Sequence, residues 1–511
     1  MTQPSDMSPA AGGADVKEPA LSPSAPSSTA GRALRAPSSA AESTFEAMSF
    51  AEAPQIKSEV PGPRSRELLE AQEALESNAR SYPRSVPIAI EQGRGATMRD
   101  VDGNTFIDFF GGAGVLNVGH SNEAVLAAAE AQQRKLVHAL DFPTQTKITL
   151  MRKLKRLLPG RLRDSAKFHF GGPTGSDAVE AALKLARAHT GRHTVIAFQG
   201  SYHGMTAGAL SVTSDLSFAR PVSAPVHFMP YPYCYRCPLG LERQSCGMAC
   251  AHLLESSLTD PHSGIPKPAA LIIEPIQGEG GTIVPPPGYL REVRRIATQQ
   301  GVPMILDEIQ TGFGRTGAMF ACEHEGIAPD VITMSKGLGG IGFPLSCIAF
   351  DAALDSWEPG AHIGTFRGHQ VGMAAGAAAI DFIEQHQLAE HAARLGELAL
   401  SMLAEAAETM HAVGEVRGRG LMIGLELVED QSSRQPAREL AASLRRECCQ
   451  RGLIIEIGGH HRNVARLLPP LVISRRMLLK GIDILIETLR ELEAAKPDAS
   501  GAARLRGKTG R

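Results

Sequence analysis

Three short apolar runs, each ending in a polar residue, constrain the fold of this chain more than any other feature. Ala269-Ala270-Leu271-Ile272-Ile273 stops at Glu274, Val302-Pro303-Met304-Ile305-Leu306 stops at Asp307, and Val331-Ile332-Thr333-Met334-Ser335 leads into Lys336. Runs of this length without polar alternation suit strands buried on both faces of a helix-covered parallel sheet. From about Glu67 to Asp483 such runs alternate with stretches of helical periodicity. The expected class is therefore α/β, a mostly parallel sheet covered by helices. Ligands of such sheets sit outside the carboxyl ends of the strands, so the three polar endings should converge on one crevice. Taken singly, Asp307 also reads as a helix N-cap and Lys336 as a surface lysine at a strand end.

A lysine at the end of a buried strand has a definite chemical use. Burial lowers its pKa, and the neutral amine so released can condense with an aldehyde. A carboxylate fixed nearby can hold a pyridine nitrogen protonated and keep the ring an electron sink. Asp307 and Lys336 together thus read as the partners of pyridoxal phosphate. Gly171-Gly172-Pro173-Thr174-Gly175-Ser176 precedes a helical pattern whose Val179, Ala182, Leu183 and Ala186 form one apolar stripe, with Gly191 as its stop signal. Free N–H groups at such a helix start suit a phosphate. Tyr202-His203-Gly204 follows the run Thr194-Val195-Ile196-Ala197-Phe198, where an aromatic ring could stack on a flat cofactor or simply fill the core.

In order, the Gly-rich turn, Tyr202-His203-Gly204, Glu274-Pro275-Ile276-Gln277-Gly278-Glu279-Gly280-Gly281, Asp307-Glu308-Ile309-Gln310-Thr311-Gly312-Phe313-Gly314-Arg315-Thr316-Gly317, Ser335-Lys336-Gly337 and Gly364-Thr365-Phe366 resemble the class III aminotransferases of pyridoxal-phosphate fold type I. The resemblance runs from about Ser81 to Leu485 and carries roles with it. It implies phosphate contacts at Gly175 and Ser176, ring stacking by Tyr202 with His203 beside it, and Asp307 on the pyridine nitrogen. Gln310 should lie near the phenolic oxygen, and Lys336 should hold the cofactor. Thr365 should reach the phosphate of a neighbouring subunit's cofactor, which implies at least a homodimer. Glu279 and Arg466 match a gate in which the arginine binds the α-carboxylate of an amino or oxo acid and otherwise rests on the glutamate; bidentate, charge-assisted geometry suits it.

Relatives acting on ornithine or 4-aminobutyrate carry an arginine where this chain has Met205. The stretches Glu76-Ser77-Asn78-Ala79-Arg80-Ser81-Tyr82-Pro83-Arg84 and Gly364-Thr365-Phe366-Arg367-Gly368-His369-Gln370 resemble instead the family's diaminobutyrate branch. That implies transfer of the terminal amine of L-2,4-diaminobutyrate to 2-oxoglutarate, giving aspartate 4-semialdehyde and glutamate. Another ω-aminotransferase, an amino-acid racemase or an aminomutase would use the same Lys336 and Asp307. A binding scaffold without catalysis would be expected to lose Lys336.

With 52 Lys and Arg against 54 Asp and Glu, no global field draws the chain to nucleic acid or anionic membrane. No apolar stretch reaches the roughly 20 residues of a membrane span, and no secretory core is visible near Met1, so the expected location is the cytoplasm. Composition suggests an Ala/Ser/Pro-rich disordered extension over 1–60 and a solvated basic tail over 496–511. Between them the expected order is an N-terminal segment, 61–140, contributing to a small domain, a large cofactor domain over 141–360, and the remainder of the small domain over 361–495. Cys234-x-x-Cys237 and Cys246-x-x-x-Cys250 have spacing that permits a structural zinc; reduced thiols in an insertion are the plainer reading. No metal is expected in the chemistry.

Overall fold

Each central strand sends alternate residues to two different cores. The computed structural model describes residues 39–495 apart from 216–217 and 219–223. Its largest sheet has seven strands, in the order Ala166–His169, Cys347–Asp351, Val331–Met334, Met304–Asp307, Ala270–Ile273, Val195–Phe198 and Val226–Met229. The last five in that order are mutually parallel, while Cys347–Asp351 runs antiparallel to both its neighbours. The expected α/β class with a mostly parallel sheet is thus what the chain forms. Ala270, Ile272, Ile305 and Val331 face one core, with Ala178, Ala182 and Ala186 of the helix Gly175–Thr190. Leu271, Ile273, Met304, Leu306 and Ile332 face the other, with Tyr289, Val293 and Ile296 of the helix Tyr289–Gln299. Period-two alternation explains this split, and burying each Leu or Ile is worth about 1.5–3 kcal/mol.

Two four-stranded sheets flank the large one in sequence. The first joins Ile90–Arg94, Thr97–Asp100 and Thr105–Asp108 to the distant Leu453–Ile454, which pairs parallel with Thr105–Asp108. The second is antiparallel throughout, in the order Val413–Arg419, Met422–Leu427, Val464–Leu467 and Glu456–Gly458. The N-terminal hairpin is therefore built into the same sheet as residues near the chain's end.

The extension assigned to residues 1–60 is corrected over 39–60. A helix spans Ser39–Met48, Phe45 is completely buried with its ring 4.9 Å from that of His391, and the N–H of Phe50 donates to Thr97 Oγ1 at 2.9 Å. Alanine and serine dominate this stretch, but two phenylalanines suffice to anchor it. Residues 1–38 and the tail 496–511 lie outside the described residues. Among the described residues no helix is long and apolar enough to cross a membrane.

Candidate active site

The polar strand endings do meet. One cavity of about 160 Å³ is lined by Gly175, Ser176, Tyr202, His203, Glu279, Gln310, Asp307 and Lys336, together with Glu274, Gly204, Ile309 and Thr311. Asp307 ends its strand with a carboxylate held from three sides. Oδ2 accepts from His203 Nδ1 at 2.6 Å, and Oδ1 accepts from Thr333 Oγ1 at 3.0 Å and from the Ile309 N–H at 3.1 Å. His203 is sealed from solvent, and its Nε2 has no partner among the described residues. Lys336 leaves the neighbouring strand with φ +32°, a left-handed conformation unusual for a side-chain-bearing residue. Burial pushes its pKa below the ordinary lysine value, against the opposing charge of Glu279.

The helix start is shaped as a cradle. The Asp177 carboxylate caps it by accepting from the Thr174 N–H at 2.9 Å, leaving first-turn amides of Gly175 and Ser176 without helical acceptors. Gly204 adopts φ +132°, and a Cβ there would collide with Ser176 Oγ; a Cβ on Gly175 would lie 2.9 Å from Ile309 Cδ1. Side chains are thus excluded where a phosphate would need backbone N–H groups.

Above the strand ends, Arg466 is buried on the strand Val464–Leu467. Its Nη1 donates to Glu279 Oε2 at 2.7 Å and its Nη2 to Gln310 Oε1 at 3.1 Å, while Nε has no partner among the described residues. Gln310 in turn donates through Nε2 to the Ala113 carbonyl at 3.1 Å. The Arg466 charge heads the effects that hold the Glu279 carboxyl below its ordinary pKa against burial. Arg466 therefore joins the cavity through two of its lining residues. Thr365 does not line it; it is exposed, in the turn Thr365–Gly368, and its carbonyl accepts from His138 Nε2 at 2.6 Å.

The chain belongs to the class III aminotransferases. The model of that family, aminotransferase class III, matches residues 78–489. A diaminobutyrate–2-oxoglutarate aminotransferase of Rhizobium meliloti (strain 1021) is 44% identical over 80% of this chain and 88% of its own. A leucine/methionine racemase of Thermococcus litoralis is 37% identical over 84% of this chain and 97% of its own. Among solved structures, an aminotransferase of Bacillus anthracis superposes with a TM-score of 0.77 at 28% identity, covering 84% of this chain and 99% of that one. Class III aminotransferases depend on pyridoxal phosphate and exchange amino groups between small amino and oxo acids, and the fold is that of their fold type I. The site of this aminotransferase fits the cofactor, with a buried lysine, a fixed carboxylate and a side-chain-free helix start on one cavity.

Two groups lack a role in the sequence analysis. Glu274 accepts from the Tyr202 N–H at 3.0 Å and the Gly278 N–H at 2.9 Å, and burial, reinforced by the charge of Asp307, pushes its carboxyl up to about 7. Its place at a strand end set it in the expected crevice, and its carboxyl joins Asp307 and Lys336 there. Thr333, one residue of an apolar run, carries no signal of its own. The four insertion cysteines line a separate cavity of about 400 Å³. Among the described residues no three His, Cys, Asp or Glu side chains are arranged to hold a metal ion.

Proposed function

We propose that this aminotransferase moves the terminal amine of L-2,4-diaminobutyrate to 2-oxoglutarate, giving aspartate 4-semialdehyde and glutamate. Relatives at 44% and 40% identity are diaminobutyrate–2-oxoglutarate aminotransferases. The observation that carries the reading is the Arg466–Glu279 pair at the cavity, which offers one exchangeable site for an α-carboxylate, with the exposed Met205 where relatives acting on ornithine or 4-aminobutyrate carry an arginine. When bound, pyridoxal phosphate supplies a sink for the electrons left on a deprotonated substrate carbon. Asp307, fixed by His203, Thr333 and Ile309, would hold the ring nitrogen, Tyr202 the ring face, Gln310 the phenolic oxygen, and the Gly175 and Ser176 amides the phosphate. Lys336 Nζ takes a proton from the substrate carbon bearing the amine and returns one on the other side of the transfer. Its lowered pKa leaves more of the neutral base at a given pH. Arg466 holds the α-carboxylate of glutamate or 2-oxoglutarate, and otherwise rests on Glu279.

A homodimer is part of the proposal. Leu136, Val137, Leu140, Phe142, Ile363 and Phe366 are exposed, and their segments adjoin through the Ala139 N–H on the Gly368 carbonyl at 3.1 Å and the Gln370 N–H on the Val137 carbonyl at 2.8 Å. An apolar patch of this kind calls for a partner surface, and Thr365 sits within it, ready to serve a neighbour's site. Division into a large domain around the seven-stranded sheet and a small one drawing on both chain ends is proposed on the strand order, and cytoplasmic residence on composition.

Adding diaminobutyrate to the yellow enzyme should remove its visible absorbance, and 2-oxoglutarate should restore it. Loss with ornithine but not diaminobutyrate overturns the substrate. Racemisation of an amino acid without any 2-oxo acid would favour the chemistry of the Thermococcus litoralis relative.

A further inference from the structure

Arg466 projects between two carboxylates, and its hydrogen bonds go to only one of them. The second is Glu456, on the edge strand Glu456–Gly458. Antiparallel register sets Glu456 directly across from Arg466 and Gly458 across from Val464, so Glu456 and Gly458 share the face from which Arg466 rises. A Cβ on Gly458 would lie 2.6 Å from Arg466 Cδ. The arginine therefore leans across the bare glycine toward Glu279 and leaves Glu456 uncovered.

Glu456 is a largely buried carboxylate short of donors. Its side chain is 14% exposed; Oε1 accepts from the Ile457 N–H at 3.1 Å, and Arg445 Nη1 stands 3.7 Å from the same oxygen, beyond hydrogen-bond reach. Oε2 accepts no hydrogen bond among the described residues, and it is not sealed from solvent. Burial raises its carboxyl pKa, with Arg445 and Arg466 acting in the opposite direction. Its register partner Arg466 reaches two residues that line the catalytic cavity, Glu279 and Gln310, which sets Glu456 beside the rim of that cavity. A buried carboxylate with an open oxygen at such a rim is made for a cationic guest.

We propose that Glu456 Oε2 receives the second ammonium of a diamino-acid donor, and so selects substrates carrying two amines. The proposal rests on the diaminobutyrate reading. In that donor the reacting amine is remote from the α-carbon, so the α-ammonium must leave water at the rim, where Glu279 is already engaged by Arg466. Glutamate, the product of the other half-reaction, has no second ammonium and relies on Arg466 instead. The rival reading is that Glu456 only balances the charge of Arg445.

The test compares wild-type holoenzyme with Glu456→Gln in two half-reactions, each followed by loss of cofactor absorbance. A charge-assisted hydrogen bond is worth about 1.5–3 kcal/mol, so kcat/KM for diaminobutyrate should fall ten- to a hundredfold, mostly through KM, while that for L-glutamate stays within about twofold. A wild-type enzyme inert to diaminobutyrate overturns the substrate reading and this proposal together. A wild type that reacts, with a variant unchanged toward both substrates, overturns only the present proposal. Equal loss toward both does the same and assigns Glu456 to charge balance. Should Glu456→Gln not yield folded protein, Glu456→Asp keeps the charge but withdraws it by one methylene, and must then lose activity selectively toward diaminobutyrate.

Discussion

The floor and the rim of this site are built by different means. The floor is made of parallel strand ends: Asp307 and Lys336 leave adjacent strands of the seven-stranded sheet, and Glu274 leaves the next. Strands with both faces buried cannot slip without exposing one core or the other, so these groups are held rigidly. The rim is made beside an edge: Glu456 lies on the edge strand of a small antiparallel sheet and Arg466 on the strand next to it, and the Glu279 that Arg466 grips is only half-buried. Interactions there are hydrogen bonds between long side chains that can be exchanged for a substrate's. Fixed chemistry and adjustable recognition are separated in space.

The largest effect should come from the floor. Lys336→Ala removes the group proposed to carry the proton, and turnover should fall by about 10⁴-fold or more. The measurement is steady-state transamination with diaminobutyrate and 2-oxoglutarate; a variant retaining near-normal rate would break the assignment of the floor to chemistry.

Glu274 offers an intermediate effect, read as stability. Its carboxyl is raised from 4.5 to about 7 by burial first and then by the charge of Asp307. Because the folded form holds this proton more tightly than the unfolded form, the stabilisation is full below about pH 4.5 and is lost as pH rises through about 7. Over that window the cofactor-free protein should lose about 3 kcal/mol from this group. Glu274→Gln, which cannot titrate, should flatten the dependence of Tm on pH between 5 and 8 relative to wild type. Parallel curves for the two proteins would remove Glu274 from the electrostatics of the floor.

How far the sequence exposes each region follows the same division. Asp307, Lys336 and the Gly175–Ser176 turn are legible because short unbroken apolar runs and a capped helix leave few alternatives for where they end. Arg466 and Glu279 become legible only through family resemblance, since an arginine before Leu467 and a glutamate in a Gly-rich loop have no period linking them across 187 positions. Glu456 is illegible for a physical reason: its strand has three residues, too short for any pattern, and its importance lies in register against Arg466. The stretch 39–60 misleads because small residues set its composition while Phe45 and Phe50 set its burial.

The smallest predicted effect sharpens the comparison most, because it alters the rim while leaving the floor untouched. Gly458→Ala places a methyl 2.6 Å from Arg466 Cδ if nothing moves. The strand is an edge, so the arginine will shift rather than the sheet break, and stability should change by less than about 1 kcal/mol. What the shift costs is alignment: a guanidinium displaced from Glu279 and Gln310 no longer presents two parallel donors to an α-carboxylate. KM for glutamate and for 2-oxoglutarate should rise about tenfold, the equivalent of one such hydrogen bond, with cofactor affinity unchanged. If cofactor affinity falls in step with KM, rim and floor are mechanically coupled, and the separation drawn between them does not hold.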